Sequence, residues 1–167
     1  SQNEDYIVML ADTIQYCVKK HDADIYIFPH VTIDNDIDNS IEVYKRLPDT
    51  IKKRVVIFSD NYHALQLKHI YQKMTFFIGT RLHSTIFSLS ENVPSICITY
   101  HGTKALGVFK TLGLDEYVIV NYSSSELINT VDNMIENKLK IKNQLKYTLS
   151  SKKNELMLIF QKLFNII

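Results

Sequence analysis

The segment Gly79-Thr-Arg-Leu-His-Ser84 places a glycine, an arginine and a histidine where an apolar run gives way to a helical pattern. The first N–H groups of a helix have no partner, and the helix dipole adds partial positive charge there. Such a turn is an anion site in principle. Arg81 offers a planar fork matched to phosphate or carboxylate. His83 can give a proton or a hydrogen bond near neutral pH. Gly79 lets the backbone turn close to a ligand, Thr80 can cap the helix, and Ser84 adds a hydroxyl. The competing reading is that Arg81 pairs with a neighbouring acid and His83 is a satisfied interior histidine.

The segment Tyr100-His-Gly-Thr-Lys104 repeats the logic, with Lys104 as a point-charge phosphate contact. Its glycine spacing is not that of a nucleotide P-loop. It also reads as an ordinary helix start with a surface lysine. Pro29-His30 and Ser59-Asp60-Asn61 close two further apolar runs. Three of the six histidines, His30, His83 and His101, therefore fall just after such runs. Asp34, Asp36 and Asp38 alternate, but the glycine and glutamate of a calcium loop are absent, so they read as a solvated loop. His63 and His69 do not share a helix face, and no metal site is read. No Gly-x-Ser-x-Gly elbow occurs. Cys17 and Cys97 sit in apolar surroundings and read as buried, reduced thiols.

These residues need a frame, and the apolar period supplies one. Tyr6–Lys20 reads as a helix with Ile7, Leu10, Ala11, Ile14, Cys17 and Val18 on one stripe. Short apolar runs at Asp24–Phe28, Arg54–Phe58, Thr75–Gly79, Pro94–Thr99 and Tyr117–Val120 read as strands. Helical patterns lie between them: Ser40–Leu47 stopped by Pro48, His63–Met74, Leu82–Glu91, Thr103–Leu112 closed by Gly113, and Ser123–Asn137 with serine capping. Residues 138–167 form a Lys-rich terminal helical segment. The strands are continuous apolar runs. That predicts a doubly wound, mostly parallel α/β sheet with helices on both faces, in a single domain over residues 1–167. Ligands of such sheets bind beyond the carboxyl ends of the strands, where the polar segments above fall.

Composition narrows the function class. The 167 residues are 46% hydrophobic and 22% charged, which fits a globular core and argues against disorder. Nineteen basic residues against 18 acidic give a net charge of +1, so electrostatically driven nucleic-acid binding is not expected. Two cysteines are too few for a secreted disulfide scaffold. The cytoplasm, or the cytoplasmic side of a membrane, is the expected compartment.

The string Gly79-Thr-Arg-Leu-His-Ser84, followed by Ile86, Val93-Pro94, Ile98, Tyr100, Lys104, Gly107 and Leu112-Gly113-Leu114, resembles the polysaccharide pyruvyl transferases. Pro29-His30, with Asp34 or Asp36 soon after, fits as well. The resemblance implies a two-lobed, GT-B-like fold of two Rossmann-like domains, with this chain similar to the C-terminal lobe. It implies transfer of the carbon skeleton of phosphoenolpyruvate to two hydroxyls of a sugar or lipid-linked glycan, forming a pyruvate ketal and releasing phosphate. Arg81 and His83 fall on the family's donor contacts, and Lys104 on its lysine after the tyrosine. His83 is then the candidate general acid. Gly79, Thr80, Ser84, His30 and Tyr100 complete the expected donor site. No cofactor is required and no metal is demanded. An N-terminal lobe and the first strand of this one are expected to be missing, and the isolated chain is expected to be inactive.

Two rival readings share the architecture, because fold alone does not fix function. A nucleotide-sugar glycosyltransferase lobe would want an acid for the ribose, and Glu116 and Glu126 are its candidates. A non-catalytic doubly wound binding module is the other. In the tail, Leu156, Ile159, Phe160, Leu163, Phe164 and Ile167 make an apolar stripe downstream of Lys138, Lys140, Lys142 and Lys146. It is expected to pack on the sheet or on a further lobe, with contact to an anionic membrane as the alternative.

Overall fold

Helix α1 (Gln2–His21) buries Ile7, Ala11 and Cys17 along the stripe read from its sequence. In chain order there follow β1 (Ile25–Ile27), α2 (Asp36–Lys45), α3 (Asp49–Lys52), β2 (Val55–Ile57), α4 (Ala64–Tyr71), β3 (Phe77–Gly79), α5 (Leu82–Ser90), β4 (Ser95–Ile98) and α6 (Thr103–Thr111). A 3-10 turn (Asp115–Tyr117), β5 (Val118–Ile119) and the long α7 (Ser124–Phe164) complete the chain. The computed structural model describes residues 2–29, 36–58, 62–99 and 103–164. The protein is therefore α/β with parallel strands, as its alternating pattern predicts. It divides into two compact units, residues 1–63 with 121–132, and residues 64–120 with 133–167.

In the first unit β1 and β2 pair in parallel, Tyr26 opposite Val56. Ile7, Ala11, Val43, Leu47, Ile51 and Val55 form its core, with Ile25 and Ile27 packed against them. One face of this sheet is covered by that core. On the other face Tyr26 is 43% exposed and Val56 48%. Among the described residues no helix covers this face, where the sequence led one to expect helices on both; a three-residue run is too short to show the alternation that would have revealed it. α2 also begins at Asp36, not Ser40. Asp36 and Asp38 fall in its first turn, where acidic side chains favour the helix dipole, and Ser40 Oγ donates to the Asp36 carbonyl at 2.6 Å. The loop reading is thus corrected for these two aspartates. Asp34 lies outside the described residues.

α1 is tied to the start of α7 by Asp132. Its carboxylate accepts from Tyr16 Oη at 2.5 Å and Lys20 Nζ at 2.8 Å, and lies 2.8 Å from His21 Nε2. Partial burial opposes the charge, but hydrogen bonds from Lys20, Tyr16 and His21 outweigh it and hold Asp132 down to about 2. A carboxylate lowered in the folded state contributes stability above its unfolded pKa and loses it as pH falls. Asp132→Asn is expected to remove about 1–2 kcal/mol at neutral pH, allowing for solvent screening. It should also flatten the acid limb of the stability curve between 3.8 and about 2. Urea melts of both proteins across that window check this. An unchanged acid limb would show the cluster to be a surface contact. Cys17 lies close by, and burial, then the Asp132 charge, pushes its thiol up to about 11. Both cysteines are free and buried, as expected.

In the second unit the strand order is β3-β4-β5, all parallel. β4 is the middle strand, and Ser95, Ile96, Cys97 and Ile98 are all buried. This is the doubly covered strand that a continuous apolar run implies. Gly113 ends α6 with φ +66°, as its sequence position predicts. Leu114 N–H returns to the Phe109 carbonyl at 2.9 Å and Gly113 N–H to the Lys110 carbonyl at 3.0 Å, a Schellman closure. Gln144 of α7 donates to the Leu112 carbonyl at 2.6 Å and so fixes the helix against that turn.

The two expected C-terminal segments are one helix. Ser123 caps it, its Oγ accepting from the Glu126 N–H at 3.3 Å. Leu127, Val131, Met134, Ile141 and Leu145 are buried, and then burial stops. Residues 150–162 are exposed throughout. Leu156, Ile159 and Phe160 are exposed, so of the two expected packings, on the sheet or on a further lobe, the one on the sheet is not the one observed. Ile167 and the side chains of Leu163 and Phe164 lie outside the described residues.

Candidate functional site

β3 and β4 run parallel, so the helices that follow them both start at the carboxyl edge of the three-stranded sheet. α5 starts after Gly79 and two further residues. α6 starts beyond Thr99. The sequence reading put the chemistry at this edge, and Arg81, His83 and Lys104 do stand there.

The start of α5 is built from backbone and hydroxyls. Arg81, not Thr80, is the N-cap; its backbone is extended (φ −123°, ψ 129°) and no side chain caps the helix. The Arg81 carbonyl accepts three hydrogen bonds: from Thr85 N–H at 3.2 Å, Ser84 Oγ at 2.7 Å and Thr85 Oγ1 at 3.0 Å. Ser and Thr often bond back to a carbonyl three or four residues earlier in this way. Both hydroxyls thereby turn inward and are buried. The expectation that Thr80 caps is thus corrected, and Ser84 supports the turn beneath Arg81. The N–H groups of Leu82, His83 and Ser84 belong to the first turn, which has no intrahelical partners to offer them.

Gly79 is buried and serves packing. A Cβ there would stand 2.2 Å from Thr85 Oγ1, 2.8 Å from Phe77 Cε1 and 3.3 Å from Ser84 Oγ. The space read from sequence as room for a ligand is room for α5. Thr85 is the residue that sequence reasoning missed. It joins Gly79, the Arg81 carbonyl and, across to β4, the Cys97 thiol, which burial raises and the Thr85 hydrogen bond lowers. A threonine four residues after a helix's N-cap carries no signal of this by itself.

Arg81 is half-buried, His83 and Thr80 are exposed, and Lys104 is exposed in the first turn of α6. Exposure removes the reading of His83 as an interior histidine. The far end of α5 is anchored by Glu91, which accepts from Gln72 and, at 2.9 Å, from Lys68 of α4. The Gln72 hydrogen bond, against partial burial and with help from Lys68, holds that carboxyl below its usual range. His30 and Tyr100, the remaining expected donor contacts, lie outside the described residues, as do His101 and Asp60.

The family model for polysaccharide pyruvyl transferases matches residues 1–102. The chain belongs to the polysaccharide pyruvyl transferase family. The matched stretch runs from α1 through β4 and contains Gly79–Ser84, His30 and Tyr100. It stops short of Lys104 and of all of α7. A relative, the amylovoran biosynthesis protein AmsJ of Erwinia amylovora, is 34% identical over 96 residues. That alignment covers 56% of this chain and 22% of AmsJ, so this member of the pyruvyl transferase family spans a small part of its relative. No solved structure matches the chain.

Proposed function

We propose that this chain is the donor-side part of a pyruvyl transferase of exopolysaccharide synthesis, and that the start of α5 takes phosphoenolpyruvate. One observation carries the reading. Within the stretch matched to the family, a half-buried arginine and an exposed histidine share a helix N-terminus at the carboxyl edge of a parallel sheet. The ligand that suits this arrangement is a small dianion. Its phosphate and carboxylate match the Arg81 fork and the α5 amides, with Lys104 as a further cation at the same edge.

The proposed chemistry needs one proton and two hydroxyls. His83 gives a proton to the methylene carbon, which makes the adjacent carbon electrophilic. One sugar hydroxyl oxygen adds to that carbon and loses its proton. The second hydroxyl oxygen then replaces the phosphate, and its proton leaves with the phosphate as inorganic hydrogen phosphate. The product is a cyclic ketal on the sugar. In this reading the chain is part of a doubly wound, GT-B-like lobe, works in the cytoplasm, and meets a sugar or lipid-linked glycan acceptor.

An NMR titration of the chain with phosphoenolpyruvate, beside uridine and cytidine nucleotides, tests this. Shifts centred on Arg81 and His83 with phosphoenolpyruvate, lost in His83→Ala, are the expected result. Shifts with a nucleotide alone would replace the reading by that of a nucleotide-sugar glycosyltransferase.

A further inference from the structure

Among the described residues Leu145 is the last buried one of α7, and around it the exposed side of the helix changes character. Lys142, Lys146, Leu149, Lys153, Met157 and Phe160 follow one another at three- and four-residue spacing, so they form one stripe. Lys142, Lys146 and Lys153 of that stripe are exposed, and Leu149 among them is half-buried. The far half is apolar and also exposed, Met157 at 53% and Phe160 at 47%, with Leu156 and Ile159 beside them. Between residues 138 and 162 seven lysines stand against one acid, Glu155.

Charge selects what covers this surface. A second copy of the helix laid parallel would set lysine against lysine. Laid antiparallel, it would set Met157 and Phe160 against Lys146 and Lys142. Neither pairing satisfies both halves. An anionic bilayer does: headgroup phosphates meet the lysines while the apolar end enters the interface. Among the described residues no helix is long and apolar enough to cross a membrane, so the contact is with the surface. We propose that the distal part of α7 is a docking surface for an anionic lipid bilayer. The inference rests on α7 alone and is independent of the pyruvyl-transfer reading.

Co-sedimentation of the full chain with vesicles tests it. The chain is expected to pellet with phosphatidylcholine vesicles that also contain phosphatidylglycerol. It should stay in solution with phosphatidylcholine alone, and be released by raised salt. Each lysine at such a surface is worth about a five-fold change in partitioning, so Lys142→Gln, Lys146→Gln and Lys153→Gln together should weaken binding roughly 100-fold. The pair Met157→Ser and Phe160→Ser should weaken it as well. All five positions are exposed, and circular dichroism would verify that each variant keeps its helix. Failure to pellet with the anionic vesicles overturns the proposal. So does equal pelleting with phosphatidylcholine alone, or binding that survives both variants. A dimer in sedimentation equilibrium that the Met157→Ser, Phe160→Ser pair dissociates, without vesicle binding, would assign the surface to a second copy instead.

Discussion

Gly79→Ala is expected to destabilise the second unit by about 3 kcal/mol, the upper end of what overpacking a filled core costs. The reason is specific to the contacts. The new methyl would meet Thr85 Oγ1 at 2.2 Å and Phe77 Cε1 at 2.8 Å. The phenyl ring has some freedom to swing. Thr85 does not: it is fully buried, and its hydroxyl is held by the Arg81 carbonyl. For a chain of this size that loss corresponds to a fall in melting temperature of roughly 6–12 °C. Thermal melts followed by circular dichroism measure it. Thr85→Ala removes the opposing oxygen, so the double variant should recover part of the loss, and the coupling between the two sites should be favourable. An unchanged melting temperature in Gly79→Ala would mean that α5 does not rest on β3 at this point.

Arg81→Ala is expected to weaken phosphoenolpyruvate binding about 10- to 100-fold, the range for losing hydrogen bonds to a charged group. The fold should tolerate the change, because Ser84 and Thr85 bond to the Arg81 main-chain carbonyl, which alanine keeps. Arg81→Lys keeps the charge but not the planar fork, and should fall between the two. Titration calorimetry of the three proteins distinguishes these cases. Equal affinities would remove Arg81 from the donor site, whatever the family membership of the chain.

The two substitutions probe different things that one short string of sequence runs together. Gly79, Arg81 and His83 were singled out from sequence as a single site, because glycine, arginine and histidine after a strand are what an anion site needs. In the structure His83 is exposed and Arg81 half-buried, while Gly79 answers to Thr85 beneath it. Residue types told which side chains carry charge. They did not tell which way each position faces.

Local signals were legible because their physics is local. An apolar run with flanking polar turns makes a strand wherever it occurs. Pro48 follows the end of α2, Ser123 caps α7, and Gly113 takes the left-handed backbone that closes α6. Each depends on atoms a few residues away. So the order of the strands and of every helix but the short α3, the parallel class of the pairing and the placement of Arg81, His83 and Lys104 at helix starts all followed from the chain itself. The rest depends on which distant residues meet. Asp132 gathers Tyr16, Lys20 and His21 from more than a hundred residues away. One sheet is covered on both faces at β4 while the face bearing Tyr26 and Val56 is open. The stripe of α7 is buried as far as Leu145 and bare at Leu156, although both stretches carry the same apolar spacing. Spacing sets the side of a helix that is apolar; only the tertiary structure decides where there is a partner to cover it.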